Sequence, residues 1–229
     1  RAAVIFGDAS TVEFFRKHLP PHVPRIEHGP KLSVAVIFEP SAQAAERLAE
    51  DVLAFDQRGC LSVQAAYVDA TFAEIHQFGE ILEKAMAAHR AKHPRRHPSL
   101  SDSGRVMNFR EIIRYRQANG DAVKLWESPQ SSEWTVVLDA SPLLLPGPLN
   151  GTVALHPMPS EWSRQSLGAE LEHLSTVAIH PFTDECAARL DPIAPPRICA
   201  LGMAQRPTVF WHHDGIKPLN TLVRWRDLG

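Results

Sequence analysis

Along the first part of the chain, short continuous apolar runs alternate with apolar residues spaced three or four apart, the punctuation of strands alternating with helices. Ala2–Phe6 reads as a strand, Gly7-Asp8-Ala9-Ser10 as a turn and cap, and Thr11–His18 as a helix stopped by Pro20-Pro21. A second strand-like run, Lys31–Phe38, follows a Gly29-Pro30 turn. This βαβ order predicts a parallel sheet with helices packed on it. From Ser41 to Phe55, the residues Ala42, Ala45, Leu48, Ala49, Val52 and Phe55 share one helical face, with Ser41 as N-cap and Gly59 as the stop. Leu61–Val68, rich in β-branched and aromatic residues, reads as a buried strand.

Phe72–His89 is expected to form a long amphipathic helix with Ile75, Phe78, Ile81, Leu82, Ala85 and Met86 on one side. Gly104–Gln117 gives another helix and Asp184–Leu190 a shorter one. Trp134–Leu138, Thr152–His156, Thr176–His180, Arg197–Leu201 and Leu219–Trp225 read as strands, and Asp214-Gly215 as a turn between β-rich segments. The run 141–151, SPLLLPGPLNG, is too broken by proline to be an element. It can pack against the rest of the domain or line a channel for an acyl chain. No internal repeat is visible.

Composition narrows the class. With 229 residues, 44% of them hydrophobic, the chain can bury one or two ordinary cores and is expected to be a soluble globular protein. A formal net charge of −2 gives no general field for nucleic acid or a membrane surface. The basic stretch 89–98 lacks interleaved aromatics, which argues against single-stranded nucleic acid. It reads as a solvated connection or a phosphate-contacting patch. No apolar run reaches the ~18 residues of a membrane span. Three widely spaced cysteines suit a reducing compartment, so a cytoplasmic location is expected. The opening Arg1, close to a strand, reads as the interior of a longer chain.

The chemistry centres on Phe55-Asp56-Gln57-Arg58-Gly59-Cys60-Leu61-Ser62, which puts one thiol at a sharp break between helix and strand, where its sulfur can face a cleft. Arg58 and local backbone N–H groups could favour the thiolate. A lone cysteine is more often a small buried hydrophobe, and Cys186 and Cys199, among apolar neighbours, read that way. Glu27 stands ahead of the second strand as a possible general base, although an exposed loop glutamate is the more frequent case. Gly7 and Ser10, at a strand-to-helix turn, could present backbone N–H groups to a cofactor anion. His212 and His213 are adjacent on a β-rich segment and so point apart, and the chain has no C-x-x-C pair. No metal site is expected.

The cysteine octapeptide resembles the active-cysteine segment of the LuxC-type acyl-CoA reductases, a branch of the aldehyde dehydrogenase superfamily. Lys31-Leu32-Ser33-Val34-Ala35-Val36 resembles the preceding strand. The stretch running from Arg197-Ile198-Cys199-Ala200-Leu201-Gly202 through Trp211-His212-His213-Asp214-Gly215 to Leu222-Val223-Arg224-Trp225 resembles that family's C-terminal segment. The resemblance implies an α/β, aldehyde-dehydrogenase-like catalytic domain with an open, mostly parallel sheet flanked by helices, the C-terminal half of such an enzyme. It implies the end of a nucleotide-binding domain over 1–38, a thiol-bearing domain over 39–205 and a closing segment over 206–229. It further implies reduction of acyl-CoA or acyl-protein by NADPH through an acyl-Cys60 intermediate, with most of the cofactor site upstream. A homo-oligomer or an acyl-transferring partner stays open. The family superfamily's Glu-Leu-Gly-Gly-Lys signature is only partly echoed by Glu27-His28-Gly29-Pro30-Lys31. A cysteine hydrolase or acyltransferase using His28 or His213, and an inactive interaction domain, are the competing readings.

Overall fold

The computed structural model describes residues 2–95, 98–144, 147–163, 167–217, 222–223 and 226–227. Leu32–Ile37 (β3) and Val63–Val68 (β4) form the middle of its main sheet. All six residues of β3 are buried, as expected of a strand covered on both faces. Around this pair the sheet runs β5-β6-β7-β4-β3-β8-β9, with β5 Val123–Glu127, β6 Thr135–Asp139, β7 Thr152–Pro157, β8 Leu174–His180 and β9 Arg197–Ala200. Every pairing is parallel except β5 with β6. Ala3–Phe6 (β1) and Arg25–His28 (β2) make a separate two-stranded parallel sheet, joined through helix α1, Ala9–His18. The chain changes sheet between β2 and β3.

Helices α2 (Ala42–Leu53) and α3 (Phe72–Lys92) cover one face of the large sheet. Ser41 caps α2 by accepting from the Ala44 N–H, and the small residues Ala44, Ala45 and Ala49 let the helix lie close to β3 and β4. Thr71 and Glu74 form a capping box on α3. On the other face Val34, Val36, Ala65 and Tyr67 pack with Leu144, Leu167 and Leu174. Helix α4, Leu100–Ala118, starts at the Ser99 cap and carries Gly104 inside it. The short helix α5 covers Asp184–Ala188.

Two strands carry little sequence signal. β2 has one buried apolar residue, Ile26, and β5 is an antiparallel edge strand bearing Lys124 and Glu127. Helix α2 stops at Leu53 and not at Phe55, because Phe55, Asp56 and Gln57 take φ of 54°, 54° and 60°. The Asp214-Gly215 turn forms as expected, with φ of 53° and 79° and a bridge between His213 and Ile216. The expected strand Leu219–Trp225 lies largely outside the described residues. Among the described residues no helix is long and apolar enough to cross a membrane.

Gly79 shows how closely α3 sits on the sheet. A Cβ there would lie 2.5 Å from Trp126 Cη2. Alanine is the better helix former, yet Gly79→Ala should lower stability by about 1–3 kcal/mol through overpacking. A rise in the denaturant midpoint would contradict this packing.

Candidate active site

Three successive left-handed residues precede the thiol, and none is glycine. The Gln57 side chain holds them. Its Nε2 donates to the carbonyls of Val63 and Thr152, both at 2.7 Å, while its Oε1 accepts from Gly151 N–H at 3.1 Å and Thr152 N–H at 3.0 Å. All the hydrogen-bonding capacity of a buried amide is used. The partner segment is itself left-handed at Leu149, Asn150 and Gly151. Asp56 Oδ1 forms ion pairs with Arg90 Nη2 at 3.0 Å and Arg95 Nε at 3.2 Å. Arg95 also donates to Asn150 Oδ1. The basic stretch is thus neither a solvated connection nor a phosphate patch at these two residues, since both guanidinium groups are buried and brace the cysteine loop.

Cys60 follows on a turn closed by the Ser62 N–H to the Gly59 carbonyl. Its own carbonyl accepts from Ser33 Oγ at 2.8 Å. Gln205 donates to Ser62 Oγ at 2.6 Å and lies against Gly59. Gln205 is positioned in turn by buried Asp51, which accepts from the N–H groups of Gly202 and Ala204. A bulge between β3 and β4 leaves Gln64 without a strand partner, facing the same space as the thiol.

Cys60 is exposed as a residue and lines a cavity of about 580 Å³ at the amino edge of the large sheet, facing the carboxyl ends of β1 and β2. Phe6, Gly7, His28, Lys31, Arg58 and His213 are among the lining residues. Burial raises the Cys60 pKa, and the Asp214 carboxylate raises it further; the backbone N–H groups of Cys60 and Leu61 and the Lys31 charge oppose this less strongly. The expected role of Arg58 is therefore not seen. Its Nη2 turns to Asp102 Oδ2 at 2.9 Å, and its side chain is 64% exposed. Cys199 is buried, with its pKa pushed up to about 11 by desolvation, while Cys186 is half-buried against the other core cluster.

Gly7 lines the cavity, and a Cβ there would strike Thr11 Cγ2 at 2.6 Å. Ser10 does not line it. Its hydroxyl donates to Asp8, which caps α1 and accepts from Thr11, and those hydrogen bonds hold the Asp8 pKa down to about 2. Glu27 is bound by Arg16 at 2.6 and 2.9 Å and lies outside the cavity lining; the hydrogen bond from Arg16 lowers its pKa.

Sequence reading missed Gln57, Asp56, Arg90, Arg95 and the pairing of His28 with Asp214. His28 Nδ1 lies 3.0 Å from Asp214 Oδ2 across 186 positions of sequence, a distance that no local pattern spans. His213 stacks on His28, and the ligand-type atoms of His28, His213 and Asp214 lie within 4.8 Å of one another. The two imidazole planes are only 14° apart, however, so their in-plane lone pairs run side by side and do not converge. That suits a hydrogen-bonded stack better than a shared cation.

An open parallel sheet with this cleft is an aldehyde-dehydrogenase-type fold. The chain is similar to a putative methylmalonate-semialdehyde dehydrogenase from Sinorhizobium meliloti 1021 solved with NAD, with TM-score 0.64 and 10% identity over 93% of this chain and 47% of that one. It is also similar to the glyceraldehyde-3-phosphate dehydrogenase GapN from Methanocaldococcus jannaschii solved with NADP, with TM-score 0.61 and 11% identity over 94% and 48% of the two chains. The family model described as acyl-CoA reductase (LuxC) matches residues 2–225, and the chain belongs to that family. It is 24% identical over 232 residues to the long-chain acyl-protein thioester reductase of Vibrio harveyi, covering 98% of this chain and 46% of that protein. The corresponding protein of Photobacterium phosphoreum is 27% identical over 237 residues, with coverages of 97% and 44%. The chain thus spans just under half the length of these curated relatives.

Gln57→Glu keeps the side-chain shape but turns a carboxylate oxygen towards two carbonyls. It should cost roughly 3 kcal/mol or more in denaturant unfolding and slow alkylation of Cys60; unchanged values would remove Gln57 as the organiser of the loop. Burial raises the Asp51 pKa from 3.8 to about 6. Its contribution to stability is therefore complete below about pH 3.8 and lost as pH rises through about 6, amounting to ~3 kcal/mol at most. Wild type should gain on Asp51→Asn when unfolding is measured at pH 4.5 instead of 7.5.

Proposed function

We propose that this chain is the thiol-bearing part of an NADPH-dependent reductase that converts a fatty acyl thioester, acyl-CoA or acyl-protein, to the aldehyde. In this reading β1–α1–β2 is the end of the nucleotide-binding domain and the large sheet is the catalytic domain. The observation that carries the proposal is an accessible thiol on a braced, left-handed loop at the floor of a cavity, in a chain of this family. The Cys60 sulfur attacks the acyl carbonyl, the substrate thiol departs, and an acyl-enzyme remains. The backbone N–H of Cys60 is the nearest candidate to hold the tetrahedral oxyanion, a role worth about 3 kcal/mol. The chemistry that a reduced nicotinamide supplies when bound is one hydride to the acyl carbon. Cys60 then leaves as thiolate and the aldehyde is released.

The described residues fit only the reacting end of such a cofactor. Phe6 and Gly7 give a flat, close-approach wall beside the thiol. The N-terminus of α1, the natural place for a phosphate, is filled by the Asp8 carboxylate. Gly7 is accordingly proposed as a cofactor contact, with Ser10 acting through Asp8. Glu27 is proposed to be spared from catalysis, because deacylation by hydride needs no base to activate water.

A cysteine acyltransferase is the second reading, favoured by the histidines that share the cavity with Cys60. Incubation with radiolabelled decanoyl-CoA should label Cys60, and Cys60→Ala should abolish the label, whereas Cys186→Ala and Cys199→Ala retain it. Label on Cys199 would overturn the assignment. Loss of nicotinamide absorbance in step with aldehyde formation supports the reductase; acyl transfer without it supports the acyltransferase.

A further inference from the structure

The reductase reading requires a proton to move. Cys60 must lose one to attack, the departing thiolate must gain one, and the local field favours the neutral thiol. Glu27 is held by Arg16 outside the cavity. We propose that His28 carries this proton between Cys60 and the leaving thiol, with Asp214 as the positioning residue that fixes its tautomer. The inference rests on Cys60 being the acylated residue.

Asp214 sits beside His28, with both side chains about one-tenth exposed. A carboxylate only accepts, so His28 Nδ1 carries the hydrogen of the 3.0 Å contact and Nε2 keeps the lone pair of a base. The second carboxylate oxygen meets Ser175 Oγ at 3.4 Å and Lys31 Nζ at 3.9 Å, which fixes Asp214 from β8 and from the β2–β3 turn. The ring of His28 stacks on Phe6, at 4.6 Å and 13° between planes, and on His213, at 4.0 Å and 14°; Phe6 and His213 are themselves 5.9 Å apart, so the three rings form a compact cluster that Trp211 joins at 4.7 Å from His213. His28, His213 and Cys60 line one cavity, and the other charged groups facing it are Lys31, Arg58 and Asp8.

The step balances. The Cys60 S–H proton passes to His28 Nε2 as the new sulfur–carbon bond forms. The bond to the substrate sulfur then breaks with its electron pair, and His28 returns the proton to that sulfur as a thiol. After hydride reaches the acyl carbon, the carbon–sulfur bond to Cys60 breaks with its pair on sulfur. One proton from solvent, delivered through His28, restores the thiol. Acyl thioester, hydride and one proton thus give aldehyde and free thiol.

The test is single-turnover acylation of the intact protein by decanoyl-CoA, with the adduct located by mass spectrometry, together with the pH dependence of Cys60 alkylation by iodoacetamide. His28→Gln should slow acylation about 100-fold or more, and added imidazole should restore part of the rate to His28→Ala. Asp214→Asn should slow acylation less, and should slow it no further in His28→Gln; the direct field of Asp214 on Cys60, read separately from the alkylation profile, would act equally in both backgrounds. Circular dichroism and thermal melting identify any variant that fails to fold; imidazole rescue and the loss of the Asp214→Asn effect without His28 then decide. Acylation of Cys60 at wild-type rate in folded His28→Gln, or no rescue and an undiminished Asp214→Asn effect in that background, overturns the relay while leaving the reductase intact. Absence of any adduct on wild-type Cys60 overturns both.

Discussion

The arrangement depends on one buried amide. Three consecutive side-chain-bearing residues in the left-handed region cost about 1 kcal/mol or more each, so the loop before Cys60 would relax if nothing opposed it. Gln57 opposes it by tying its own turn to a second left-handed turn at Leu149–Gly151, with every polar atom of the amide engaged. Asp56, held by two buried guanidinium groups, fixes the same segment from the α3 side. Strain concentrated beside a reactive group and offset by surrounding contacts is a recurrent property of functional loops. Here the result is a thiol whose position is set by backbone rather than by its own packing.

The site lies where two sheets face one another. Cys60, Ser33 and Ser175 belong to the amino edge of the large sheet, while Phe6, Gly7 and His28 come from the carboxyl ends of the small one. That explains why one end of the cavity carries a thiol and the other a glycine turn suited to close approach. It also explains how α1 can lie near the cavity while its own N-terminus is already satisfied by Asp8.

Much of the framework was legible in the chain because burial imposes a period. Leu32–Ile37 and Val63–Val68 are continuous apolar runs, since both of their faces are covered, and α2 and α3 show one apolar face each. Strand β2 was not legible because one buried residue makes no pattern, and β5 was not because an edge strand can keep charged residues. The end of α2 was misplaced by two residues, as Phe, Asp and Gln give no warning of positive φ. The arginines near position 90 resembled a solvent-facing run because charge alone does not show that Asp56 lies beneath them. Cys60 was singled out from its junction and from family resemblance. The direction of its proton affinity is set first by burial and then by Asp214, and only the folded chain supplies both.

The stacked rings and the His28–Asp214 contact join segments far apart in sequence. Phe6 and His28 travel with the small sheet, whereas Ser175 belongs to the large one and Asp214 and Trp211 to the turn-rich segment beyond it. On the proposed relay this contact works as a clutch: were Asp214 to part from His28, the imidazole would lose the carboxylate that fixes its tautomer. Such a coupling would tie the readiness of the thiol to the closeness of three segments distant in sequence.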